Sequence, residues 1–326
     1  MLSDRVRMPR GFLLVAAVAA ILAASPVWSG TVAAAAPADR PATVDEPVPV
    51  DLTPSLAAAP RDYPAPYFDG CHVQQAGVIS RKATCIYGDA TSPTEIILFG
   101  DSHALSWFPA VEEVAMREGW RLRVLTMSAC SPADIPNWNS NYHRVSTACS
   151  AWRKHAMSEI AADSPAIVLV AGTRGFATVG ASGTILKGAA RTRAWQAGMD
   201  RTLERLVPLA ARVIYIGDSP LATQDPPRCL AANPMSTLAC ATPVSSAIDA
   251  TWLADERQAA DVAYTGFVDP TPWICPSSPC PVVIDGVLVF RDMGHLTATF
   301  ASTLADPLDV AILADLEQSL GTTTFD

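Results

Sequence analysis

Four short apolar runs, each followed by a stretch of helical periodicity, limit the folds open to this chain more than any other feature. Residues 95–99, 121–127, 166–171 and 212–217 read as strands. The third is continuously apolar, and the first and fourth are so after Glu95 and Arg212, as strands covered on both faces must be. Helical spacing follows at 107–117, 149–162, 191–206 and 246–262, with a short strand at 265–268 and a last helix at 307–320. Val282, Val283 and Ile284 face Leu288, Val289 and Phe290 across Asp285-Gly286, a hairpin signal. Alternating strands and helices predict an α/β fold, a three-layer sandwich around a central parallel sheet. Such sheets place their sites at the carboxyl ends of the strands. The residues there are Gly100-Asp101-Ser102-His103, Ser128-Ala129-Cys130, Gly172-Thr173-Arg174 and Gly217-Asp218-Ser219.

The N-terminus points out of the cytoplasm. Arg5, Arg7 and Arg10 precede an uncharged apolar run at 11–24, and small residues with proline continue to Ala38. That order is a secretory signal, with Ala36-Pro37-Ala38 as a cleavage site before Asp39. The alternative is a single membrane anchor, since residues 11–30 carry no charge and are long enough to span a bilayer. Residues 1–30 are therefore read as signal or anchor. Residues 31–66, rich in Ala and Pro, are read as a linker, and 67–326 as the folded domain.

Eight cysteines agree with export: Cys71, Cys85, Cys130, Cys149, Cys229, Cys240, Cys275 and Cys280. An even count in an exported chain predicts disulfides stapling the fold. Eight cysteines allow about 105 connectivities. Pairing of neighbours, 71–85, 130–149, 229–240 and 275–280, is the simplest of them. No Cys-x-x-Cys spacing supports zinc, so neither metal nor cofactor is expected. The net charge of -9, with no Lys/Arg cluster, excludes a nucleic-acid partner.

Two segments carry chemistry. Ser102 stands in a tight turn between a strand and a helix, where its backbone N–H is a candidate oxyanion donor. At the other end, Asp292 precedes His295 by three residues, so one turn of chain can place its carboxylate against the imidazole. A serine needs such a base, and the base an acceptor to orient it. Ser102, His295 and Asp292 are the catalytic candidates, with His295 Nε2 expected within about 4 Å of the Ser102 hydroxyl. Asp101 and His103 are expected to support the site rather than react. Gly217-Asp218-Ser219 repeats the motif but is followed by Pro220, so Ser219 is rejected as nucleophile. His143 and His155 have no evident acidic partner. Trp107, Trp152 and Trp195 read as core, while Trp138 and Tyr142 read as either core or a sugar platform.

These motifs resemble the SGNH hydrolases. Ile96-Ile97-Leu98-Phe99-Gly100-Asp101-Ser102-His103, Cys130-Ser131-Pro132, Asp292-Met293-Gly294-His295-Leu296-Thr297 and Tyr67-Phe68-Asp69-Gly70-Cys71 are similar to the periplasmic SGNH domain of acyltransferase family 3 proteins. The resemblance spans about residues 50–320 and implies an SGNH/flavodoxin-like sheet. It also implies O-acylation of a cell-surface or cell-wall glycan, with an acyl donor and a multi-helix membrane acyltransferase as partners. Two family features are missing. No Gly follows the second strand, and Gly172-Thr173-Arg174 stands where Gly-x-Asn is expected. Arg174 is either a substitute oxyanion donor or a surface residue. Acyl transfer, ester hydrolysis and non-catalytic glycan binding all remain open at this point.

Overall fold

The structure, a computed structural model, describes residues 41–74, 85–140 and 143–322. The signal or anchor at 1–30 and the Tyr142 platform residue lie outside them. Seven strands form the main sheet: β1 (His72–Val73), β2 (Ile86–Gly88), β3 (Glu95–Gly100), β4 (Arg121–Met127), β5 (Ile167–Ala171), β6 (Arg212–Ile216) and β7 (Gly266–Val268). Their order is β1-β4-β3-β5-β6-β7, all parallel. β2 pairs antiparallel with the first half of β4, on the edge whose second half β1 occupies. The chain leaves β3 for β4 on one side and returns to β5 on the other, so the sheet reverses its winding at β3. That reversal opens a crevice at the carboxyl end of β3.

Strict alternation along the central strands builds two cores. Ile96 and Leu98 of β3, Ile167 and Leu169 of β5, and Ile214 and Ile216 of β6 face one side. Helices α2 (Phe108–Glu118) and α6 (Ala305–Thr322) cover it, through Val111, Val114, Leu308 and Ile312 among others. Ile97, Phe99, Val168, Val170, Val213 and Tyr215 face the other side. There Trp152 of α3 (Thr147–Asp163), Trp195 of α4 (Gly188–Leu206) and Trp252 of α5 (Ala250–Val262) pack on them. Trp107, Trp152 and Trp195 are thus core. The expected helix at 246–262 is broken in two because Ile248 is extended and Asp249 caps α5 by accepting from the Trp252 N–H (3.0 Å). The Asp285-Gly286 hairpin joins Val283–Ile284 to Val287–Leu288, with φ 49° and 75° at the two turn residues. These positive angles suit a two-residue hairpin turn.

All eight cysteines are paired, as Cys71–Cys85, Cys130–Cys149, Cys229–Cys240 and Cys275–Cys280. The second bond fastens the loop after β4 to the start of α3. Arg153 completes that fastening by donating to the carbonyls of Ser131 (3.2 Å) and Ile135 (2.7 Å).

The linker reading needs correction from residue 41 onward. Residues 41–66 lie along the domain as a strap. Thr53 donates to the Gly286 carbonyl (3.1 Å) and accepts from Leu288 N–H (2.8 Å), while Leu52 and Ala59 are buried with Leu230, Val282 and Leu288. Proline removes donors but not carbonyls, and the body supplies N–H groups to meet them. A chain beginning at residue 67 should be less stable than one beginning at residue 41 by about 3 kcal/mol or more, since burying Leu52 alone is worth roughly 1.5–3 kcal/mol. Thermal unfolding of the two truncations checks this, and equal midpoints would contradict it.

Candidate active site

Ser102 is the first residue of α1 (Ser102–Ser106), directly after β3. Asp101 caps this short helix. Its Oδ1 accepts from the N–H groups of His103 (2.7 Å) and Ala104 (3.3 Å). Its Oδ2 accepts from Thr173 N–H (2.9 Å) in the turn after β5. One buried carboxylate thus fixes the nucleophile turn to the neighbouring strand end. Burial raises the Asp101 pKa to about 6, with the nearby His103 charge and the N–H donors opposing the rise.

Loop 291–295 comes from the far end of the chain. Arg291 N–H donates to the His295 carbonyl (3.0 Å), closing the loop on itself. Asp292 Oδ1 accepts from the N–H groups of Gly294 and His295, both at 2.8 Å. Both carboxylate oxygens also reach His295 Nδ1, at 3.0 and 2.9 Å. A carboxylate only accepts, so Nδ1 carries the proton and Nε2 is left to accept. Nε2 lies 2.9 Å from Ser102 Oγ. Burial works to raise the Asp292 pKa, but the His295 hydrogen bond and charge and the two N–H donors hold it well below the ordinary carboxylate range. Burial, with the charges of His103 and Arg291, lowers His295 despite its bond to Asp292. A neutral imidazole beside a serine can take its proton.

Around this line are His103, which the sequence pointed to as a supporting residue, and others that sequence reasoning missed. Arg291 is buried, with its guanidinium over the rings of Tyr63 (4.4 Å) and Tyr67 (5.6 Å), and its Nε is 3.7 Å from Asp292. Tyr63 belongs to the strap, which therefore reaches the site. His72 of β1 is buried between the hydroxyls of Thr126 (2.8 Å) and Ser128 (2.7 Å), and burial lowers its pKa to about 3. His72 therefore stays neutral. His103 Nδ1 meets Asp218 Oδ1 at 3.1 Å. The Asp218 N–H donates to Glu256 (3.1 Å), which also accepts from the Tyr215 hydroxyl (2.9 Å). Burial and the adjacent Asp218 push the Glu256 pKa upward. The Gly217-Asp218-Ser219 repeat thus contributes Asp218, behind the nucleophile, rather than Ser219. His155 does have an acidic neighbour, Glu159 at 3.9 Å, one turn along α3.

A family model for the SGNH domain (fused to AT3 domains) matches residues 70–309. The chain belongs to the SGNH domain family. It is thereby an acyl-ester enzyme, in a family associated with membrane acyltransferases. No curated protein is similar to it in sequence. Among solved structures, the periplasmic domain of the Salmonella ser. Paratyphi A lipopolysaccharide acetyltransferase is similar in fold. It shows a TM-score of 0.56 and 14% identity, over 74% of this chain and 91% of that one. Est24, a carbohydrate acetylesterase from Sinorhizobium meliloti, gives a TM-score of 0.41 and 14% identity, over 68% of this chain and 99% of its own. The M. smegmatis aryl esterase gives 0.40 and 16%, over 68% and 99%.

The two departures of this SGNH domain from the family pattern have structural counterparts. After β4, where no Gly is present, Ala129 adopts φ 51°, a left-handed turn that costs a residue with a Cβ roughly 1–2 kcal/mol. Gly172 is retained for space, since a Cβ there would lie 2.6 Å from Pro132. Arg174 donates from its backbone N–H to Asp218 (2.9 Å) and from its guanidinium to the Ala247 carbonyl (3.0 Å). Those bonds fasten the turn after β5 to its neighbours rather than reaching Ser102. The described residues of the SGNH domain hold no group of three or more His, Cys, Asp or Glu suited to a metal.

Proposed function

We propose that this SGNH domain is an extracytoplasmic O-acyltransferase that carries an acyl group on Ser102 and passes it to a hydroxyl of a cell-envelope glycan. The observation carrying this reading is the continuous line Ser102 Oγ, His295 Nε2, His295 Nδ1, Asp292, with both bonds near 2.9 Å. In the first half-reaction Ser102 Oγ attacks the donor carbonyl while His295 takes its proton. The tetrahedral oxyanion forms beside the Ser102 N–H, a natural donor for it. Collapse breaks the bond to the donor's leaving group, which leaves with the proton from His295. In the second half-reaction the glycan hydroxyl gives its proton to His295 and attacks the Ser102 ester. The acyl group moves to the sugar and the Ser102 hydroxyl is restored. Asp292 holds the imidazole tautomer throughout.

Support for glycan as acceptor and acetyl as the group comes from the fold neighbour named as a lipopolysaccharide acetyltransferase. Support for a membrane acyl-carrier partner comes from the family's fusion to AT3 domains. Export is supported by the N-terminal signal or anchor pattern and by four disulfides, which persist in oxidising compartments. Among the described residues no helix is long and apolar enough to cross a membrane.

Incubating the protein with an aryl acetate, with and without an acetyl-free envelope oligosaccharide, tests the reading. Acetate found on the sugar is the expected result. Acetate released only to water makes the chain an esterase, and no release at all removes the catalytic reading.

A further inference from the structure

A second histidine–carboxylate pair lies behind the Ser102–His295–Asp292 line, and the acyl-transfer steps do not use it. His103 and Asp218 meet at 3.1 Å, with side chains 10% and 1% exposed. The His103 and His295 rings lie 4.8 Å apart, tilted by 54°. The backbone of Gly294 covers the other edge of the His103 ring, since a Cβ on Gly294 would lie 3.4 Å from His103 Nε2. The three contacts wedge His103 between the turn after β6 and the loop that carries the base.

The charges around the pair are one-sided. Asp218 Oδ2 accepts from the Arg174 N–H (2.9 Å) and the Thr173 hydroxyl (3.4 Å), and its own N–H donates to Glu256. Asp101 below Ser102 and Asp292 in the loop also act on His103. A buried carboxylate requires a cation or several donors, and the cationic side chain touching Asp218 is His103. Burial opposes the His103 cation, but the Asp218 charge and hydrogen bond raise its pKa on balance. Around His295 stand Asp292, which favours its cation, and Arg291 and His103, which oppose it. His72, neutral, faces it from β1. Like charges a few ångströms apart in a partly dry site exclude one another.

We propose that His103, held as an imidazolium by Asp218, is a positioning residue that braces His295 and keeps it in the neutral, proton-accepting form. The inference rests on the Ser102 acyl-transfer reading and extends the working range of that site into mildly acidic surroundings.

The test uses His103→Gln and Asp218→Asn, each read in two ways. The first is NMR titration of protein labelled with ¹⁵N-histidine, which needs no turnover. His103 is expected to be an imidazolium at pH 7 in the native protein. The His295 midpoint should rise by about one pH unit in either variant, and no further in the double variant. The second is the pH profile of kcat/KM for an aryl acetate. Its acidic limb should move up by the same amount, with KM unchanged and the alkaline plateau reduced less than about tenfold. A His103 ring that is neutral at pH 6 in the native protein overturns the proposal. So does an unmoved His295 midpoint in folded His103→Gln. If Asp218→Asn fails to fold, the native His103 titration and the His103→Gln variant decide. If the native protein turns over no ester, the acyl-transfer reading fails while the NMR titration still decides the coupling. If turnover needs Ser102 but the limb does not move, this inference alone fails.

Discussion

Ser102→Ala is expected to lower acetyl-ester turnover by about 10⁴–10⁶-fold, and His295→Ala by nearly as much. The two groups share one proton across 2.9 Å, so removing either leaves the other without a role. The double variant should therefore be no slower than the worse single one. Asp292→Asn should cost about 10⁴-fold, because an amide can donate to Nδ1 and turn the proton to Nε2, where the serine hydroxyl must be accepted. Steady-state hydrolysis of an aryl acetate near pH 8, with circular dichroism to show that each variant is folded, measures all four. The acidic limb of the native profile should lie below the ordinary histidine range, because burial lowers the His295 pKa. Full activity in Ser102→Ala would end the assignment.

Gly100→Ala should be the most damaging conservative change in the sheet. Gly100 pairs with Ala171 across β3 and β5, and its φ is 153°. A Cβ would lie 1.8 Å from the Ala171 carbonyl oxygen and 2.7 Å from the Ala104 side chain. The carbonyl cannot yield without parting the two strands at the point where the sheet reverses. The cost should reach about 3 kcal/mol or more, the upper range for overpacking a dense interior. Gly119→Ala provides the contrast. Gly119 also has positive φ, 66°, but a Cβ there meets nothing within 4 Å. Only the backbone penalty of roughly 1–2 kcal/mol remains. Urea unfolding of the two variants separates close packing from left-handed backbone. Equal losses would contradict the packing argument.

The central strands and the residues of the candidate site were legible because each announces itself locally. Residues 96–99, 167–171 and 213–216 are buried on both faces, and only a continuous apolar run satisfies that. Asp292 and His295 share one loop, so their spacing alone brings them together. β1 and β2 were not expected, because they are two and three residues long and contain His72 and Tyr87. Their pairing is imposed by the free edge of β4 rather than by their own composition. The strap was misread for a related reason. Proline content predicts little regular structure, which is correct for 41–58, but irregular chain can still bury Leu52 and present Tyr63 to Arg291. Asp218 stands in a Gly-Asp-Ser repeat whose Pro220 removes the helix that Ser219 would need, and nothing local marks its carboxylate as the partner of His103. Glu256 carries no local signal at all. It is one acidic residue inside α5, and only the packing of α5 on β6 brings it to Asp218 and Tyr215.

A serine-directed covalent probe tests whether Ser102 is the nucleophile. The protein is treated with an alkyl fluorophosphonate, its intact mass is measured, and the adduct is mapped by peptide fragmentation. One adduct per chain, on the peptide containing Ser102 and absent from His295→Ala, is the expected result. An unmodified protein, or an adduct on Ser219 or Ser128 with Ser102 untouched, would contradict it.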